Sequence, residues 1–174
     1  MSLFTALRGI YEPFNRMKKV IGFDTFEGLL HVDPNFDNTS CKVIHDGGFA
    51  CSPGYEDYLK RTLEYQEKDN PLGHIQKSFV VKGDASLEIH QYMRDNPETI
   101  VSLAFFDFDV YNPTKSCLLA IKDRLVKGSV VAFDEMCDHD CPGETRAVRE
   151  VFGLNNIRLQ RFPIASRVSY FIVE

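Results

Sequence analysis

Acidic residues that directly follow two apolar runs are the residues of this sequence best suited to chemistry. The run over residues 100–106 ends in Asp107, with Asp109 two positions later, and the run SVVAF ends in Asp134 and Glu135. Carboxylates at the tip of a buried strand are costly unless a cation or hydrogen-bond donors meet them. Mg²⁺ prefers oxygen ligands of this kind. We therefore predict a metal site formed by Asp107, Asp134 and Glu135, and the alternative is that these acids cap the following helices.

Two earlier apolar runs end in the same way, at Asp24 and Asp84. Ligands of open α/β sheets bind beyond the carboxyl ends of the strands, so the four strand-end aspartates are expected to line one rim. Asp24 is placed to accept hydrogen bonds from ribose hydroxyls, and Gly83 with Asp84 to border a flat base. The alternative for Asp24 and Asp84 is a turn or helix cap, and Asp109 is either a helix cap or a partner of the metal ligands.

The segment from Cys137 to Cys141 (CDHDC) resembles a metal cluster at first sight. Zinc sites usually draw four ligands from paired elements, and a single short loop supplies the candidates here. We interpret the segment as a loop beside the site, in which His139 is a candidate base. The alternatives are a solvated loop histidine for His139 and a second candidate base in His45.

The composition fits one globular domain of 174 residues with a net charge of −5. That charge argues against binding nucleic acid by phosphate neutralisation. Five cysteines and the lack of a secretory leader predict reduced thiols and a cytoplasmic protein. Apolar runs stay below the roughly 18 residues that span a bilayer, so we expect no membrane segment.

Short apolar runs alternate with amphipathic stretches, which predicts an α/β fold with a mostly parallel sheet covered by helices. The last two strands lack a helix between them, which favours an antiparallel terminal pair. Helices are expected around residues 55–63, 87–93, 114–125 and 144–152, with Gly128 as the stop of the third. The expected strands are 19–24, 78–84, 101–107, 129–134, 157–162 and 168–173.

Five motifs resemble the macrocin-type sugar O-methyltransferases of antibiotic and deoxysugar biosynthesis. The similarity is greatest to the branch that methylates nucleotide-linked sugars or sugars on enediyne natural products. The resemblance covers nearly the whole chain, and the order and spacing of the motifs make it specific. The motifs are FDTFEGL (23–29), KGDASLEI (82–89), FFDFDVYNPTKSCLLAI (105–121), KGSVVAFDE (127–135) and PGETRAV (142–148).

The resemblance implies S-adenosylmethionine as the cofactor, on a Rossmann-like class I methyltransferase sheet whose last strand is antiparallel. It implies that Asp24, with Thr25 and Phe26, holds the ribose. It further implies that the turn of Gly83, Asp84 and Ala85 borders the adenine.

The resemblance also implies a divalent ion, Mg²⁺ or another, on Asp107, Asp134 and Glu135. The family commonly has aspartate where Glu135 stands. Asp107 is the preferred base and His139 the alternative. The substrate is expected to be a small-molecule sugar, and a homo-oligomer is possible, with no nucleic acid or membrane as partner.

One departure from the family concerns the start of the chain. The family opens its fold with a strand and a glycine turn beside the methionine part of the cofactor, whereas this sequence opens at SLFTALRGIYEPF, which matches the helix after that turn. The first strand is therefore expected to be absent, leaving a single methyltransferase-like domain over residues 1–174 that is incomplete at its N-terminus. Truncation, a strand from another chain, or closure of the sheet around the gap are the three alternatives.

Two other functions compete with methyl transfer. The pattern AFFDFDVY approximates the DxD motif of metal-dependent phosphatases and glycosyltransferases, but Tyr111 stands where a phosphatase has threonine or valine. The other alternative is a truncated, non-catalytic interaction domain, motivated by the missing glycine turn.

Overall fold

A computed structural model of the protein describes residues 1–165 and 167–174. The chain divides into two compact units, which we call the first unit (residues 1–27 and 50–84) and the second unit (residues 28–49 and 85–174). The interpretation of residues 1–174 as one methyltransferase-like domain stays a prediction.

The first unit contains two helices and a two-stranded parallel sheet. Val20 lies opposite Ser78 and Asp24 opposite Lys82, so the two strands end together. The carboxyl ends of both strands therefore lie at the same edge of this sheet. Its elements are α1 (Ser2–Tyr11), β1 (Val20–Asp24), α2 (Tyr55–Lys68) and β2 (Ser78–Lys82).

A buried ion cluster joins the elements of the first unit. Glu67 of α2 lies 3.0 Å from the guanidinium of Arg8 in α1 and 2.6 Å from Nζ of Lys77, which precedes β2. Lys77 also donates to the carbonyls of Leu72 and Ile75 at 2.8 and 2.7 Å. Burying charge is costly unless each ion is paired and hydrogen-bonded. Glu67 therefore holds two cations of its own unit in place.

The second unit is built on a four-stranded sheet in the order β3-β4-β6-β5. β3 and β4 are parallel, while β6 pairs antiparallel with both β4 and β5. The predicted α/β fold and antiparallel terminal pair are confirmed. The elements are α3 (Ala85–Asp95), β3 (Val101–Phe106), α4 (Tyr111–Ile121), β4 (Leu125–Phe133), α5 (Pro142–Val151), β5 (Gln160–Arg161) and β6 (Ser169–Ile172).

The third predicted helix differs from the observed one at both ends. α4 begins at Tyr111 and ends at Ile121, and a short 3₁₀ turn follows it. The predicted stop at Gly128 was wrong, because Gly128 lies inside β4 with a φ of +90°. The pairing of β3 with β4 shifts register between Val101 and Leu103. A glycine tolerates the left-handed backbone that such an irregularity requires.

Aromatic rings pack the core of the second unit behind the ends of β3 and β4. Phe106 stacks on Phe133 with ring centroids 5.1 Å apart, and Phe171 of β6 lies 6.4 Å from Phe133. Phe152 meets Phe171 edge-on at 5.1 Å. Buried aromatic rings contribute strongly to core stability, so the last residues of β3 and β4 are firmly held.

Candidate active site

In the first unit, Asp24 ends β1 with an exposed side chain that also closes a tight turn. Its Oδ1 accepts the N–H of Phe26 at 2.7 Å, and Thr25 Oγ1 accepts the N–H of Glu27 at 3.0 Å. Phe26 adopts a φ of +59°. Asp24 therefore forms a turn, as one of its two interpretations predicts. Its exposed carboxylate is also compatible with ligand binding.

The glycine turn after β2 lies beside the end of β1. The N–H of Gly83 donates to the carbonyl of Asp24 at 3.0 Å, and Gly83 has a φ of +149°. The half-buried Asp84 precedes α3, which begins at the buried Ala85. The structure thus brings together Asp24, Phe26 and Gly83 among the residues assigned to the cofactor.

In the second unit, β3 and β4 end side by side, and Asp107 and Asp134 directly follow them. Phe106 lies opposite Phe133 in the parallel pair, and the N–H of Asp134 donates to the carbonyl of Phe106 at 3.1 Å. Asp107 is exposed and Asp134 is half-buried. Adjacent parallel strands end at one edge of a sheet, which is why these two strand ends lie side by side.

Among the described residues, a group of potential metal ligands includes two that the predicted metal set omits. One ligand atom each from Asp109, Glu135 and Cys141 lies within 4.8 Å of the others. Burial raises the pKa of Asp109, and the charges of Asp107 and Asp134 add to that shift. Asp109 therefore lies within electrostatic reach of the acids that were expected to bind metal, and its role as their partner stays a prediction.

Asp109 does not cap α4. The N-cap position is Val110, which makes no side-chain cap bond, and Asp37 accepts the N–H of Tyr111 at 2.8 Å. Asp109 instead has a φ of +61°. The chain turns sharply at this position, which occurs more often at aspartate than at most other non-glycine residues.

Glu144, for which the sequence suggested no role, links the ends of β3 and β4. It lies on α5 with no exposed surface, and its Oε1 and Oε2 accept the N–H groups of Phe108 and Glu135, each at 3.2 Å. Burial raises the pKa of Glu144 to about 8, although both N–H donors act in the opposite direction. The sequence places Glu144 four residues before the apolar Val148, which is a signal for an inward-facing acid, whereas the two N–H groups that it accepts are set by the tertiary fold.

Asp37 fastens the 28–49 loop to the helices of the second unit. The buried side chain accepts the N–H of Tyr111 at 2.8 Å and that of Asp33 at 2.9 Å. Phe36 stacks on Tyr111 with ring centroids 4.1 Å apart. A β-carbon on Gly143 would lie 2.4 Å from the Tyr111 nitrogen and 2.5 Å from Asp37 Oδ1. This loop therefore depends on close contact with the starts of α4 and α5.

Glu135 carries a buried carboxylate under opposing electrostatic influences. Burial raises its pKa to about 7, the positive charge of Arg167 counteracts that shift, and Asp109, Asp138 and Asp134 reinforce it. Oε2 of Glu135 has no hydrogen-bond partner within residues 1–165 and 167–174. A further cation, in addition to Arg167, would therefore stabilise the ionised form of this residue.

The loop that contains His139 contributes one buried ligand to this group. The side chain of His139 is 94% exposed and its Nδ1 lies 3.4 Å from Asp140 Oδ1, whereas Cys141 is buried. Burial raises the pKa of the Cys141 thiol, and Asp109 and Glu135 add to the effect. The interpretation of CDHDC as a loop beside the acidic group fits this geometry better than a zinc cluster does.

Comparison with solved structures decides the family. The calicheamicin methyltransferase CalS11 matches with a TM-score of 0.93 and 40% identity, over 98% of this chain and 66% of that chain. An apo structure of CalS11, described as a TDP-rhamnose 3′-O-methyltransferase, matches with a TM-score of 0.82 and 37% identity, over 98% and 65%. The chain belongs to the class I sugar O-methyltransferase family. It spans just under two thirds of the length of these family members, 66% and 65%.

One further solved structure supports the fold alone, and two other comparisons found no match. The O-methyltransferase NovP has a TM-score of 0.71 at 18% identity, over 99% of this chain and 66% of that chain, so it supports the class I methyltransferase fold. No protein-family model and no curated protein matches the chain.

No helix within residues 1–165 and 167–174 has the length and apolar character that crossing a membrane requires.

A divalent cation fits the donor set of the second unit. Asp109 and Glu135 offer carboxylate oxygens, and Asp107 and Asp134 add negative charge nearby. Burial and neighbouring acids raise the pKa values of Asp109 and Glu135, so a further positive charge would stabilise their ionised forms, although Arg167 already lies 2.9 Å from Oε2 of Glu135. Hard oxygen ligands of this kind suit Mg²⁺, and Cys141 would add one soft donor to them.

Proposed function

We propose that the protein transfers a methyl group from S-adenosylmethionine to a hydroxyl of a nucleotide-linked sugar. The observation that carries the proposal is the match to CalS11 at 40% identity over 98% of this chain. A structure of CalS11 is described as a TDP-rhamnose 3′-O-methyltransferase. A TDP-linked deoxysugar is therefore the acceptor class that we assign to this chain.

We assign cofactor binding to residues at the ends of β1 and β2 and to the turn that directly follows β2. Asp24, supported by the turn through Thr25 and Phe26, accepts hydrogen bonds from the ribose hydroxyls. The exposure of Asp24 and the left-handed backbone at Phe26 support this role. We assign the contacts beside the adenine ring to Gly83, Asp84 and Ala85.

We assign metal binding and proton transfer to the acids of the second unit. Asp107, Asp134 and Glu135 hold the divalent ion, with Asp109 next to them. A bound Mg²⁺ supplies positive charge that lowers the pKa of the acceptor hydroxyl. The ends of β3 and β4, which these acids follow, lie side by side, and this supports the assignment.

The reaction requires one base. Asp107 is exposed and accepts the proton of the hydroxyl as the new oxygen–carbon bond forms and the sulfur–carbon bond of the sulfonium breaks. The products are the methyl ether and a neutral thioether. His139, whose side chain is 94% exposed, is the alternative base.

The other functions suggested by the sequence receive less support. The solved structures that match this chain at 40% and 37% identity are methyltransferases, so a DxD phosphatase or glycosyltransferase is not favoured. A non-catalytic interaction domain predicts a folded protein without cofactor binding. Phosphatase assays and calorimetry with S-adenosylmethionine separate these alternatives from methyl transfer.

The test is methyl transfer from labelled S-adenosylmethionine to TDP-rhamnose by the natural full-length protein. We expect transfer with Mg²⁺ and its loss with EDTA. Asp107→Asn and Asp134→Asn should each reduce kcat, whereas Asp123→Asn, at an exposed position of the 3₁₀ turn, should not. Asp24→Asn should weaken cofactor binding. Binding of S-adenosylmethionine without transfer to any TDP-linked sugar would contradict the proposal.

A further inference from the structure

A cation of the protein itself contacts the acidic group of the second unit. Arg167, two residues before β6, brings its Nη2 atom to 2.9 Å from Oε2 of Glu135. Oε2 is the buried oxygen that lacks a hydrogen-bond partner among the described residues. The contact is therefore an ion pair without the geometry of a hydrogen bond.

Arg167 is held more firmly by a second carboxylate. Its Nε and Nη2 donate to Oδ2 of Asp138 at 2.9 and 2.6 Å. The side chain of Arg167 is 51% exposed, whereas that of Glu135 is 7% exposed. Asp138 thus anchors the guanidinium at the surface, while its positive charge reaches the buried oxygen of Glu135.

This arrangement and a bound divalent ion compete for the same oxygen. Glu135 belongs to the group whose ligand atoms lie within 4.8 Å of one another. We propose that Arg167 is the resident counter-cation of Glu135 and that a divalent cation displaces it from Oε2 while Asp138 retains it. The inference rests on the metal role of Glu135 in the proposed function.

The displacement has a consequence for metal affinity. A metal ion that approaches Glu135 meets the repulsion of a guanidinium and must break an ion pair. Both effects weaken binding, and both disappear when the charge at position 167 is removed. If Arg167 instead oriented Glu135 for coordination, removing it would weaken metal binding. The two roles therefore predict changes of opposite sign.

The experiment measures Mn²⁺ binding by electron paramagnetic resonance of the free ion, with calorimetry as a second readout. We expect Arg167→Gln to lower the dissociation constant on the order of tenfold, because it removes a unit charge a few ångströms from the ion. Arg167→Lys retains the charge and should stay near the wild type. Arg94→Gln is the matched control, because Arg94 is exposed and donates to Gln91.

The outcomes separate this inference from the proposed function. Mn²⁺ binding that is lost in Glu135→Gln and tightened in Arg167→Gln supports both. Mn²⁺ binding that is lost in Glu135→Gln but equal or weaker in Arg167→Gln overturns the counter-cation role alone. Failure of both the wild type and Arg167→Gln to bind Mn²⁺ overturns the metal role of Glu135 and the inference with it. Circular dichroism confirms that each variant is folded.

Discussion

Glu144 accepts a hydrogen bond from the backbone N–H of Glu135, at 3.2 Å between Oε2 and N. Its other oxygen accepts the N–H of Phe108 at 3.2 Å. A single buried carboxylate thus holds the residues that follow two neighbouring strands. The backbone that carries the acidic group depends on a helix that contributes no residue to the tight cluster of Asp109, Glu135 and Cys141.

Replacing Glu144 by alanine should destabilise the protein and loosen the acidic group. Two N–H groups, the buried one of Glu135 and the part-buried one of Phe108, would lose their acceptor, at a cost of about 1–3 kcal/mol each. Urea denaturation should show a loss of about 2–5 kcal/mol, and Glu144→Gln should lose less because one acceptor remains. Arg149→Ala, at an exposed position of the same helix, is the control. A loss below about 1 kcal/mol in Glu144→Ala would contradict this role.

Glu67→Gln should strongly destabilise the first unit. The change would leave Arg8 and Lys77 buried without their common anion. Breaking a buried ion pair by removing one partner costs about 3–5 kcal/mol. Glu64→Gln lies on the same helix at an exposed position and should change little. Chemical denaturation followed by circular dichroism measures both, and similar stabilities for the two variants would refute the argument.

Gly143→Ala should weaken the contact between the 28–49 loop and the starts of α4 and α5. The new β-carbon would meet the Tyr111 nitrogen at 2.4 Å and Asp37 Oδ1 at 2.5 Å, so the backbone must shift. Overpacking of this kind typically costs about 1–3 kcal/mol. Gly47→Ala is the control, because Gly47 has a φ of +84° and a β-carbon there meets no atom within 4 Å. Its thermal unfolding therefore reports backbone strain without crowding. Equal losses in the two variants would argue against crowding.

Asp37 should make stability depend on pH. Burial raises the pKa of Asp37 above its ordinary value of 3.8, and this outweighs the N–H bonds from Asp33 and Tyr111. The folded state therefore holds this proton more tightly than the unfolded state does. The resulting contribution to stability is complete below pH 3.8 and declines as the pH rises through the raised pKa.

The Asp37→Asn variant tests this dependence. Asparagine does not titrate, so the stability advantage of the wild type over the variant should be largest near pH 3.5 and should shrink toward pH 7. Urea denaturation at several pH values measures the difference, and carboxyl-carbon NMR locates the titration of Asp37. An advantage that stays constant or grows with pH would show that the raised pKa is wrong.

Local patterns in the sequence determined the α/β fold, the antiparallel terminal pair and the neighbouring strand ends that Asp107 and Asp134 follow. Apolar runs and the acids that end them are local features, and parallel neighbouring strands bring such ends to one edge. The end of α4 was not predictable in this way, because Leu125 and Gly128 belong to β4, where pairing with β3 overrides the helical spacing.

Tertiary structure alone decided which side chains support the acidic group. Glu144 reaches Phe108 across 36 positions and Asp37 reaches Tyr111 across 74. Arg167 meets Glu135 only because β6 pairs with β4. Such contacts depend on the direction of individual side chains after the elements have packed. Residue type and spacing therefore revealed the acids at the strand ends. The roles of Glu144 as buried acceptor, Asp37 as loop anchor and Arg167 as counter-cation became visible only in the folded chain.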